Sequence, residues 1–175
     1  MKAVVADSSF YLCFLEDIEQ PRYLIPILDS FEILMPSIVH AEVRRCNNYR
    51  YNRGNQNITI VDNDFKTVEV LRPLFSSEQW KKGEAQAIAL AFELNVSNSI
   101  LNLILDDVQA RTFVQRNLAF LKEIMTGTLG FLVVCYQSQV LSKEDTSSIL
   151  DWVEKSQFRV TDEVLSIIRL KIQSG

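Results

Sequence analysis

The sequence predicts an α/β fold: a parallel sheet with helices covering both of its faces. Three observations carry this. Short apolar runs alternate with helical segments along the whole chain. Two of those runs, Ala3–Ala6 and Leu101–Leu105, end on aspartates, and in open parallel sheets binding sites form at the carboxyl ends of strands. The chain has 175 residues, 47% of them hydrophobic, which suits one domain spanning 1–175 that buries roughly 70% of its unfolded surface.

The elements follow in order. Ala3–Ala6 is a buried strand, and Asp7-Ser8-Ser9 starts a helix that runs from Phe10 to about Glu19 and is stopped by Pro21. A second helix covers Tyr23 to Ser30, with Pro26 early enough to be tolerated or to bend it. Glu32–Met35 is the next strand, and Pro36 opens a helix carrying Val39, Glu42 and Val43. Residues 44–57 read as a helix end and an exposed loop, with Arg44, Arg45, Arg50 and Arg53 interleaved with Tyr49, Tyr51 and several asparagines, and no acid. Asn57–Val61 is a strand and Phe65–Leu71 a short helix before Pro73. Gly83-Glu84 begins an Ala- and Leu-rich helix to about Leu94. After the strand at Leu101–Leu105 a helix covers Val108 to Asn117, Leu121–Met125 is short and extended, and Thr126–Gly130 turns into another helix. Two C-terminal helices are capped by Ser142 and Thr161.

Composition narrows the function. With 18 basic and 22 acidic residues the net charge is −4, which excludes a globally basic nucleic-acid coat but not a local basic patch. Three scattered cysteines form no CxxC pair and read as buried apolar residues in a reducing compartment. One histidine leaves little for a zinc site or a Ser-His-Asp triad. The opening MKAVVAD reaches a carboxylate too soon for a signal-peptide core, and no window is long enough to span a membrane, so a cytoplasmic location is expected.

The chemistry lies in the acids. Asp7 after the first strand, Glu42 on an early helix, Glu84 at a helix start and Asp106 or Asp107 after a later strand are candidates for one cleft. Gathered carboxylates need a compensating cation, and oxygen-only ligands suit Mg²⁺ or Mn²⁺. Such a site hydrolyses phosphodiesters. Each acid also has a structural reading. Asp7 and Ser8 suit a helix cap, Glu42 a solvated surface, and Glu84 the favourable end of a helix dipole. Asp106 and Asp107 are adjacent, so one enters a cleft while the other caps the next helix or pairs with Arg111. The arginines at 44, 45, 50 and 53 offer phosphate contacts, and Tyr49 and Tyr51 stacking surfaces for unpaired bases; a solvated loop or a protein-binding surface is the alternative.

The segments VVADSS, PSIVHAEV, GEAQAIALA, LILDDVQAR and TGTLG together resemble the PIN-domain nuclease family, in particular its branch related to VapC toxins. The resemblance spans Ala3 to about Ile168 and is most specific from Gly83 to Gly130. It implies a three-layer α/β/α PIN-like fold with a central parallel sheet, and a Mg²⁺- or Mn²⁺-dependent endoribonuclease. The acids in family order are Asp7, Glu42, Glu84 and either Asp106 or Asp107, with Asp107 in the better register as catalytic residue. On this likeness Asp7, Glu84 and Asp106 or Asp107 hold metal, with Glu42 ligating directly or through water. Ser8 or Ser9 matches the small hydroxyl that binds phosphate or a metal-bound water, with Ser8 where threonine is usual. The likeness also implies a toxin held by a small antitoxin protein, and a homodimer. A PIN fold kept as a catalytically silent binding module is the competing expectation.

Overall fold

The computed structural model describes residues 2–49, 57–62 and 71–174. Five strands, β1 (Ala3–Ala6), β2 (Glu32–Pro36), β3 (Ile58–Val61), β4 (Ile100–Ile104) and β5 (Met125–Thr126), form one sheet in the order β3-β2-β1-β4-β5. Every pairing is parallel. The expected α/β class with a central parallel sheet is what the chain adopts, and the arrangement is consistent with a PIN-like fold.

The alternation of side chains along each strand feeds two separate cores. Val4 and Ala6 of β1 pack into one and Val5 into the other; Ile104 joins the first and Leu103 the second. The larger core takes in α1 (Ser8–Leu12), α2 (Leu24–Ser30) and α3 (Ser37–Val43), together with α7 (Thr128–Gln137), α8 (Lys143–Lys155) and α9 (Asp162–Gln173). The smaller one is built on α5 (Gly83–Val96) and α6 (Val108–Asn117). A short α4 (Ser77–Trp80) precedes α5. Among the described residues no helix is long and apolar enough to cross a membrane. The three cysteines are free and buried.

Most expected elements lie where the sequence put them, and three departures have physical causes. The first helix does not continue regularly to Glu19. It passes after Leu12 into a π-helical stretch, Cys13–Asp17, in which three consecutive residues, Cys13, Phe14 and Leu15, are all buried. Glu19 then adopts a left-handed φ of 52° and ends it. The extended segment expected at Leu121–Met125 is instead a 3₁₀ turn at Ala119–Leu121 followed by the two residues of β5. Leu118 and Leu121 are both buried three positions apart, a helical spacing. Helix α4 was not expected, although Ser76 and Gln79 form a reciprocal capping box that its sequence spells out. The helix expected over 65–71 falls almost entirely outside the described residues.

Candidate active site

Strand order reverses between β1 and β4, and the chain places an aspartate just beyond the end of each. The Asp7 backbone N–H still donates to the Ile104 carbonyl at 3.1 Å, so its side chain is held by the sheet itself. Asp7 is fully buried. One carboxylate oxygen accepts from the Phe10 N–H, capping α1, and the other accepts from the Asp106 N–H, each at 3.4 Å. Burial, then repulsion from Asp106, then repulsion from Glu84, raise its pKa from 3.8 to about 8, against the lowering effect of those two N–H donors.

Asp106 is fixed from its other side. The Thr128 N–H donates to Oδ1 at 2.9 Å and the Thr128 hydroxyl donates to Oδ2, so the carboxylate closes the N-terminus of α7. Burial raises its pKa, only partly offset by Thr128 and by the charge of Arg111. Gly127 makes this approach possible: a Cβ there would lie 2.9 Å from Asp106 Oδ1 and 3.3 Å from Arg111 Nη1.

Asp107 diverges from its neighbour. It is exposed, caps α6 by accepting from the Ala110 N–H at 2.7 Å, and lines a small groove of about 90 Å³ with Glu84, Lys82 and Gln109. Asp106, rather than Asp107, therefore stands against Asp7. The alternative pairing of Asp107 with Arg111 is not formed; the Arg111 guanidinium lies toward Gly127 and Asp106.

Glu84 is half-buried in the first turn of α5, and its charge reaches Asp7. Glu42 arrives from α3. Its Oε2 lies 2.9 Å from where a Cβ of Gly83 would be, so the glycine lets α3 and α5 pack closely and sets Glu42 beside the start of the Glu84 helix. Ser8 and Ser9 are half-buried in the first turn after Asp7, and neither hydroxyl has a hydrogen-bond partner among the described residues. Beneath them the Tyr11 hydroxyl is buried without a partner, and burial and the Asp7 charge raise its pKa.

The basic segment is only partly described. Arg44 and Arg45 are exposed at the end of α3. Tyr49 is half-buried on the larger core, with its hydroxyl hydrogen-bonded to the His40 ring. Arg50, Tyr51 and Arg53 lie outside the described residues.

The donor set is carboxylate oxygen throughout, which fits a hard divalent cation such as Mg²⁺ or Mn²⁺, and the mutual repulsion of Asp7, Asp106 and Glu84 is what such an ion relieves. Among the described residues no three acidic, histidine or cysteine side chains stand close enough to make a preformed metal group. Thr128 and Gly127 are contributors that the sequence left without a role, and Arg111 was expected only as an ion-pair partner of the second aspartate. All three sit inside the TGTLG and DDVQAR segments, where the signal was present but attached to the fold rather than to the site.

No curated protein and no solved structure matches the chain. A family model described as a PIN domain matches residues 3–174, nearly its whole length. PIN domains are generally nucleases, acting on nucleic acid and typically with divalent metal ions. With two aspartates meeting at the switch point of a parallel sheet and a family match from end to end, the chain belongs to the PIN-domain family.

Proposed function

We propose that the chain is a single-domain, Mg²⁺- or Mn²⁺-dependent endoribonuclease of the VapC-like kind, a toxin held in check by a small antitoxin protein and acting in the cytoplasm. The observation that carries the nuclease reading is the pair Asp7–Asp106, a fully buried carboxylate and a half-buried one linked through the Asp106 N–H, with no ion pair to either among the described residues. Unpaired buried charge is costly, and a site that binds a cation and a phosphodiester gives it a use. The toxin role, the antitoxin and a homodimer rest on the family resemblance alone.

Asp7, Asp106 and Glu84 would hold the ion, with Glu42 reaching it directly or through water. Asp107 serves the neighbouring groove and the cap of α6. A bound divalent ion supplies Lewis-acid polarisation of the phosphoryl group and makes a water nucleophilic near neutral pH. The chain's own part is orientation. Thr128 fixes both oxygens of Asp106, and the N–H groups of Phe10 and Asp106 fix those of Asp7, so the carboxylates need no rearrangement when the ligand arrives. The free hydroxyls of Ser8 and Ser9 donate to a phosphate oxygen. Arg44 and Arg45, exposed at the end of α3, contact the rest of the RNA, and the sequence offers Tyr49, Arg50, Tyr51 and Arg53 for the same role.

The test is Mn²⁺ titration by calorimetry with cleavage of a labelled single-stranded RNA, comparing wild type with Asp7→Asn. Metal binding and cleavage in the wild type, both lost in the variant, are the expected result. Identical Mn²⁺ binding in the two proteins removes Asp7 from the site. The second reading is a catalytically silent binding module, since among the described residues no three-residue metal group stands preformed. Wild-type protein that neither binds Mn²⁺ nor cuts RNA establishes that reading instead.

A further inference from the structure

Asp106 of the acid pair also lines a groove of about 660 Å³. Asp106 and Gly127 belong to its lining, α6 supplies Arg111 and Val108, the segment leading into α9 supplies Phe158 and Arg159, and α9 itself supplies Val164. Arg111 and Arg159 make no hydrogen bond and no ion pair among the described residues. An arginine is a donor only, with five N–H groups in a planar fork that matches phosphate. Two such forks share one concave surface in which Asp106 is the acid of the lining; its charge reaches Arg111 without an ion pair, and no acid of the lining besides it stands ready for Arg159.

We propose that this groove is the subsite for the unpaired RNA strand flanking the scissile phosphate, with Arg111 and Arg159 as its phosphate contacts. The inference rests on the nuclease reading above and gives that site its substrate form. Gly127 sets the spacing: it separates the Asp106 carboxylate from the Arg111 guanidinium without a side chain between them, so a phosphate on Arg111 lies next to the acid pair rather than on it. Val108 is 74% exposed and Val164 42% exposed, and with the half-buried Phe158 ring they offer apolar surface to the faces of unpaired bases. A groove of this volume has room for a short stretch of linked nucleotides, and a duplex, whose bases are already stacked and paired, has no free base faces to lay on its apolar lining.

The experiment is fluorescence anisotropy of a short fluorescein-labelled single-stranded RNA, and of its duplex, in Ca²⁺ buffer over a range of NaCl. Arg111→Ala and Arg159→Ala are each expected to weaken single-strand binding about tenfold and to make the slope of log affinity against log salt shallower by roughly one. Arg159→Lys, at an exposed position, restores the slope, which a purely structural role would not do; it carries the test should Arg111→Ala fail to fold. Unchanged affinity and slope in the alanine variants overturn the proposal, as does duplex binding as tight as that of the single strand. The two readings fail separately. If the wild type cleaves RNA, Asp7→Asn does not, and the arginine variants bind normally, only the groove assignment falls. If strand binding depends on the arginines but the wild type cuts nothing in Mn²⁺, only the nuclease reading falls.

Discussion

The strand-end cluster and the C-terminal helical pair handle negative charge in opposite ways. On α8, Asp151 and Glu154 are exposed, and Arg169 of α9 reaches both, at 2.8 and 2.9 Å. These charges are paired, hydrated and screened, and they tie two helices together at little cost or gain. At the ends of β1 and β4, Asp7 and Asp106 are withdrawn from water and pushed against each other, and the nearest guanidinium, on Arg111, forms no ion pair with either. One arrangement serves the fold. The other opposes it, and backbone N–H groups and Thr128 hold the carboxylates in place against their repulsion. Strain of this kind persists where a ligand relieves it.

The largest effect that tests this contrast is on turnover. Replacing Asp106 by Asn keeps an acceptor for Thr128 but removes the charge, and the rate of RNA cleavage in Mn²⁺ is expected to fall by at least about 100-fold. A rate within a few-fold of wild type would mean that the cluster's charge has no part in the chemistry.

Next is stability against pH, measured in chelator. Asp7 titrates near 3.8 when unfolded and near 8 when folded, so the folded chain holds this proton more tightly. Its stabilising contribution is full below about pH 4 and is lost as pH rises through 8. Asp7→Asn cannot ionise. Thermal unfolding should therefore show the variant gaining on the wild type as pH rises, reaching an advantage of about 1–3 kcal/mol above pH 8. Parallel pH profiles for the two proteins would show that Asp7 is not under the proposed repulsion. The smallest effect is at the helical pair. Arg169→Ala should cost about 0.5–1 kcal/mol, shrinking with added salt, with RNA cleavage unaltered.

Much of this was readable before any coordinates. The alternation of apolar runs and helical segments gave the sheet, because strands buried on both faces read as continuous apolar runs such as AVVA. Caps at Ser142 and Thr161 marked helix starts, each accepting from a backbone N–H three residues on. Asp7 stands out in the sequence through its place after the first strand. The π-helical stretch after Leu12 was not legible, since it arises from three successive side chains all needing burial against elements distant in sequence. Nor was the difference between Asp106 and Asp107: the family register favours Asp107, whereas the folded chain sets Asp106 against Asp7.

The sequence by itself determined the fold class, the strand ends and the set of acids, because periodicity, caps and residue type are local properties. Which acids meet was decided by tertiary structure. Parallel pairing of β1 with β4 brings Asp7 and Asp106 together across 99 positions of chain, and the TGTLG turn delivers Thr128 to one aspartate of the pair and not the other. The same packing leaves Arg111 facing a groove instead of its helix neighbour Asp107. Contacts between residues so far apart depend on strand order and register, and no local pattern records them.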